Sequence, residues 1–121
     1  MLVVSKFQME MLASVIDRRF CERLAIDLRR RYATTFFYSN ENLLVLIQSG
    51  VERARSYGLS WESSIADFVG LMFDVGLKFD RHPKIHFLLT DEKTEPNLRI
   101  KLLMEKLSNY EWQEVRSGAQ F

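Results

Sequence analysis

The chain has 121 residues, 47% hydrophobic and 27% charged, with a formal net charge of +1. That composition fits one globular domain and gives no global field pulling toward nucleic acid or an anionic membrane. Two prolines, five glycines and a single cysteine argue against a turn-rich β fold and against a disulfide framework. No apolar run approaches the roughly 18–20 residues needed to span a bilayer. The opening Met1 to Lys6 lacks a basic region followed by a longer apolar stretch, so the expected location is cytoplasmic. Residues 1–60 carry nine Lys/Arg against six Asp/Glu, and residues 61–121 carry eight against ten.

Met1 to Val4 is a short apolar lead, a brief strand or a flap. Ser5 and Gln8 have the spacing of a capping box, which predicts a helix over 6–32. Its apolar residues Met9, Leu12, Ile16, Phe20, Leu24, Leu28 and Tyr32 advance mostly in steps of four. On a 3.6-residue helix each such step drifts by roughly 40°, so the stripe spirals around the surface. The polar face is rich in arginine (Arg18, Arg19, Arg23, Arg29, Arg30, Arg31) and interrupted by Asp17, Glu22 and Asp27. These acids have the spacing to pair with Arg18, Arg23 and Arg31 along the helix. A solvated, salt-bridged face is the structural reading, and an anionic partner is the functional one.

Ala33 to Asn40 is a connection holding three consecutive aromatics, Phe36, Phe37 and Tyr38. They dock on the core or on a partner. Ser39 or Asn40 caps a second helix over 41–57. Leu43 to Ile47 is apolar all round, which predicts a central buried helix. Gly58 closes it through a left-handed residue, and Ser60 is the expected cap of the third helix. Trp61, Ile65, Phe68, Val69, Met72, Phe73 and Val75 share one broad face of that helix, and Gly76 stops it. Lys84 to Leu89 predicts a helical turn or two. A last helix is expected over 95–113, capped by Thr94, with Pro96 in its first turn and Leu98, Leu102, Leu103, Leu107 and Tyr110 buried. Trp112, Val115 and Phe121 form a frayed apolar tail. The expected fold is all-α, a compact bundle of four main helices plus a short helical turn, in one domain over 1–121. Leu43, Leu46, Ile47, Ile65, Phe68, Met72 and Leu102 are the expected core.

No residue pattern calls for a catalytic centre, a cofactor or a metal. His82 and His86 have metal-ligand spacing on a helix, but Pro83 stands between them and they read as loop residues. Cys21 lies mid-helix between apolar neighbours and reads as a small core residue rather than a nucleophile. Asp67 and Asp74 read as the polar side of the third helix, with Asp80 capping the next element. The aromatic inventory is the most informative feature. Phe36, Phe37, Tyr38, Trp61, Phe79, Phe87, Trp112 and Phe121 are many for one small core, and aromatics left at the surface mark a protein interface. The alternative is a core that simply uses aromatics.

Gly50-Val-Glu-Arg-Ala-Arg-Ser-Tyr-Gly-Leu59, Glu62 and Leu71-Met-Phe-Asp-Val-Gly-Leu-Lys-Phe-Asp80 together form a pattern. It resembles small helical accessory proteins encoded in bacterial type VI secretion effector clusters. The likeness covers roughly residues 5–82, with a looser echo in the last helix. It implies a non-catalytic adaptor or co-chaperone that binds an effector or its adaptor chaperone. An immunity protein that blocks a cytoplasm-acting toxin is the alternative, and a nucleic-acid-binding regulator is a more distant one. The expected protein-binding residues are Arg29, Arg30, Arg31, Phe36, Phe37, Tyr38 and Trp112. Self-association through the same aromatics stays open.

Overall fold

The computed structural model describes residues 6–118, with side chains from residue 17 onward. Expectations for Met1 to Val4, for the Ser5/Gln8 cap, for the side chains of Met9, Leu12 and Ile16, and for Phe121 lie outside the described residues. Among the described residues the chain is all helical. It has six helices: α1 Lys6–Arg31, α2 Asn40–Ser56, α3 Glu62–Asp74, α4 Pro83–Leu89, α5 Arg99–Lys106 and α6 Asn109–Ser117. Three 3₁₀ turns, Ala33–Phe37, Phe79–Arg81 and Pro96–Leu98, join them. The expected count of four main helices and one turn is therefore too low. No helix among the described residues is long and apolar enough to cross a membrane. The chain divides into two compact units, one ending at Gln48 and one beginning at Ser49, with the boundary inside α2.

In the first unit, Phe20, Cys21, Leu24 and Leu28 are buried on α1, and Leu43 and Ile47 on α2. The steps of four from Phe20 to Leu28 fit the expected stripe. Arg18 pairs with Glu22 and Arg31 with Asp27, each at 3.3 Å one helical turn apart. Ser39 caps α2, its Oγ accepting from the Asn42 amide at 3.1 Å. The second helix is not buried all round, as its uninterrupted apolar run predicts. Val45 is exposed and Leu44 and Leu46 are half-buried. Five consecutive residues point in all directions around a helix, so an apolar run does not fix how many sides are covered.

The second unit opens at the C-terminal part of α2. Gly58 takes φ 92° and donates to Arg55 O at 2.9 Å, closing the helix as expected. Gly50 marks a close approach of α2 and α3, since a Cβ there would stand 2.4 Å from Met72 Sδ and 3.2 Å from Val69 Cγ2. Ile65, Phe68, Val69, Met72, Phe73 and Val75 are buried as expected, but Trp61 is exposed. Trp61 stands at the N-cap position with extended backbone (φ −75°, ψ 135°), ahead of the helix whose face it is expected to share. Ser60 does not cap α3 through its hydroxyl. Asn97 Oδ1 accepts instead from the amides of Ser60 and Trp61, at 2.9 and 2.8 Å. Asn97 Nδ2 donates to Ser60 Oγ at 3.1 Å, and Ser64 Oγ donates to Asn97 O at 2.9 Å. Asn97 is only 8% exposed, and its side chain gives the Ser60 and Trp61 amides a protein acceptor.

Two positions after Asn97 stands Arg99, 9% exposed. Its guanidinium donates to Thr94 O at 3.1 Å, Tyr57 O at 2.9 Å and Leu89 O at 2.9 Å. Tyr57 follows the last residue of α2 and Leu89 is the last residue of α4. A cation thus meets the carbonyl-rich ends of two helices, where the helix dipoles are negative.

The helix expected over 95–113 is broken. Leu107 is extended (φ −80°, ψ 131°), and Ser108 starts α6 through a capping box with Glu111. Ser108-Asn-Tyr-Glu111 carries that signal in its spacing. The break resets the helical phase. Leu103 and Leu107 are buried, Leu102 is half-buried, and Leu98 and Tyr110 are exposed. Thr94 does not cap: its hydroxyl donates to Asp91 Oδ2 at 3.3 Å, and Glu95 precedes the 3₁₀ turn. The tail expected to fray is helical to Ser117, with Val115 buried.

Candidate functional site

The three aromatics at 36–38 sit on a 3₁₀ turn whose backbone is fixed. Thr35 is fully buried, and its Oγ1 donates to Tyr32 O at 2.7 Å. Tyr38 N closes the turn on Thr35 O at 3.2 Å. Arg29, near the end of α1, holds the other side of the turn. Its guanidinium donates to Thr35 O at 3.0 Å, Tyr38 O at 3.1 Å and Asn40 Oδ1 at 2.9 Å. The Phe36 ring centroid lies 5.5 Å from the same guanidinium carbon, a cation–π contact. Arg29 therefore builds the turn and presents Phe36.

The rings themselves are largely in solvent. Phe36 is 69% exposed and Phe37 85%, while Tyr38 is half-buried. Arg30 and Arg31 are exposed beside them on α1, and Arg31 shares its charge with Asp27. Six of the seven expected protein-binding residues thus belong to the first unit. Trp112 belongs to the second, on α6, where it is half-buried and lines a cleft with Leu71, Val75, Met104 and Arg116.

The second unit holds a polar cluster around the buried Asp80 that the sequence pattern does not reveal. Asp80 is buried and caps nothing. One carboxylate oxygen takes the Arg53 guanidinium, and the other accepts from the Tyr57 hydroxyl at 2.8 Å. Arg53 also donates to Leu77 O at 2.9 Å and stands 5.7 Å from the Phe68 ring centroid. Tyr57 lies edge-on to His86, with ring centroids 5.9 Å apart. Burial, and then the hydrogen bond and negative charge of Asp80, push the Tyr57 hydroxyl up to about 12. The cluster joins Arg53 and Tyr57 of the Gly50–Leu59 segment to Asp80 of the Leu71–Asp80 segment. Each group is engaged by the others, which gives the cluster a tethering role. The one clue in the sequence is the spacing of four between Arg53 and Tyr57, which puts both on one face of α2.

The two histidines part company. Pro83 opens α4 at its first position, so His82 precedes the helix. His82 Nε2 lies 3.3 Å from Glu114 Oε2, whereas His86 Nδ1 lies 3.4 Å from the Tyr57 hydroxyl. Among the described residues no group of three or more His, Cys, Asp or Glu side chains is placed to hold a metal ion. Cys21 is buried at 1% exposure. No protein-family model, curated protein or solved structure matches the chain.

Proposed function

We propose that the chain is a non-catalytic protein-binding module whose docking surface is the aromatic turn at the end of α1. The observation that carries this reading is the exposure of Phe36 and Phe37 on a turn braced by Arg29 and Thr35. Burying one such ring in a partner is worth about 1.5–3 kcal/mol. A braced turn gives up little conformational entropy when it docks. Aromatic and arginine side chains are also the types that dominate interface energetics. The resemblance carried by the Gly50–Leu59 and Leu71–Asp80 segments supplies the setting: an adaptor or co-chaperone for a type VI secretion effector or its adaptor chaperone. Neutralisation of a cytoplasm-acting toxin is the alternative setting for the same surface.

The test is a pull-down of the tagged protein co-expressed with the products of its neighbouring genes. An adaptor chaperone or an effector in the eluate supports the first setting. A folded toxin domain whose killing is suppressed supports the second. Nucleic acid retained through a high-salt wash, with no protein, sinks both. The companion variant is Phe37→Ala with Tyr38→Ala. Partner capture should fall at least tenfold while the helical circular dichroism is unchanged. Because Phe37 is so exposed, Phe37→Ala alone should leave stability within about 0.5 kcal/mol. Unfolding of that single variant would make Phe37 a core residue and refute the surface.

A further inference from the structure

We infer that the partner segment docking on this surface is acidic and amphipathic, with carboxylates set between apolar side chains. The inference rests on the protein-binding reading above and adds the chemistry of what binds. Positions 17–31 hold six arginines against three acids, an excess of three in a chain whose whole net charge is +1. The excess is arranged. Arg19, Arg23, Ile26 and Arg30 succeed one another at steps of four, three and four, so they form a single stripe along α1. All four are exposed, and Ile26, at 58%, sits among the arginines. Arg29 is three positions after Ile26 and carries Phe36 over its guanidinium. Ile26 and Phe36 thus stand among Arg19, Arg23, Arg29 and Arg30; Glu22 lines the same surface beside Arg19, Arg23 and Ile26, with its charge paired to Arg18 at 3.3 Å.

Helix electrostatics explains only part of this pattern. Cations in the last turn stabilise a helix C-terminus, which accounts for Arg29, Arg30 and Arg31. That effect falls off within one turn and does not reach Arg19 or Arg23, which lie two to three turns upstream. A border of cations around apolar groups is complementary to carboxylates around apolar groups, and such complementarity sets partner choice and on-rate. A phosphate backbone is a poorer fit, because it brings no apolar groups for the exposed Ile26 and Phe37 to cover.

The experiment is selection of a displayed random-peptide library on the immobilised full chain. Binding of each enriched peptide is then measured against two double variants, Arg19→Gln/Arg30→Gln and Arg19→Glu/Arg30→Glu. The neutral pair guards against a fold effect of charge reversal, and circular dichroism checks both. The expected result is enrichment of peptides with Asp or Glu between apolar residues. Their affinity should fall about tenfold in the neutral variant and further in the reversed one, and should weaken as salt screens the charges. Enriched peptides without acidic bias, lost on Phe37→Ala but kept by both arginine variants, would leave the docking surface standing and overturn the acidic partner. Enrichment of nothing that depends on Phe37 would overturn both readings. A fluorescent single-stranded oligonucleotide that binds, and is released only by the arginine variants, would assign the stripe to nucleic acid instead.

Discussion

Replacing Arg99 by methionine removes one buried cation and leaves three carbonyl oxygens, of Tyr57, Leu89 and Thr94, without their donor. Methionine fills nearly the same volume, so the change isolates polar satisfaction from packing. Each hydrogen bond from a charged donor contributes roughly 1.5–3 kcal/mol, and a stranded buried carbonyl costs about 1–3 kcal/mol. The sum is reduced by the desolvation that the guanidinium no longer suffers and by water reaching the rim. The net loss is about 3 kcal/mol, a large part of the roughly 5–15 kcal/mol that holds a domain folded. For 121 residues the unfolding entropy is about 0.25 kcal/mol/K, so the melting temperature should drop by about 12 °C. Arg99→Lys carries the charge on a single ammonium that cannot span three carbonyls, so it should recover less than half of the loss. Urea unfolding followed by circular dichroism gives the free energy, and calorimetry gives the midpoint. A methionine variant within about 1 kcal/mol of the parent would refute the view that this side chain ties the helix ends together.

Asn97→Ala strands the amides of Ser60 and Trp61 and should cost about 2 kcal/mol, read by urea unfolding, with faster hydrogen exchange at the start of α3. Tyr57 holds its proton to about 12 when folded, against about 10 when unfolded. Its contribution is complete below pH ~10 and is lost as pH rises through about 12. A tyrosinate absorbance titration should therefore show a late-ionising step, and Tyr57→Phe should remove it. Glu111 runs the opposite way. The hydrogen bond from Lys84, and then that from the Ser108 amide, lower it from 4.5 to about 2. Its contribution is present above pH ~4.5 and disappears as pH falls through about 2. Glu111→Gln should be less stable than the parent at pH 7, and the two should converge at the acid end of a pH series of melting curves.

The parts of the fold legible in the sequence are those governed by neighbours along the chain. The spans of α1 and α2 and the Gly58 closure come from local spacing and from one residue able to take positive φ. The parts hidden from sequence reading depend on residues far apart. Asn97 reaches back to residues 60 and 61, and no local pattern announces a cap supplied from that distance. Asp80 looks like a helix cap because aspartate usually is one, and only the fold brings Arg53 and Tyr57 to it. The break before α6 is a different failure. The Ser108/Glu111 signal is local, but one continuous apolar period through Leu107 and Tyr110 is the simpler description. At the aromatic turn, crowding of rings in the sequence points to the surface, and Phe36 and Phe37 are exposed. The bracing role of Arg29 is hidden, because an arginine on a polar face looks the same whether it points at solvent or at a carbonyl.

Asn97 and Arg99 also bear on the order in which the chain can fold as it is made. Both lie after α2, α3 and α4 in the sequence, yet one supplies the start of α3 and the other ties the ends of α2 and α4. On a ribosome the three earlier helices emerge first, with four of these backbone groups still dependent on water. They gain these protein partners only when the short stretch from Pro96 to Arg99 arrives. A nascent chain stalled before Pro96 should therefore remain protease-sensitive throughout residues 49–95, and one that exposes Arg99 and α5 should become resistant in a single step.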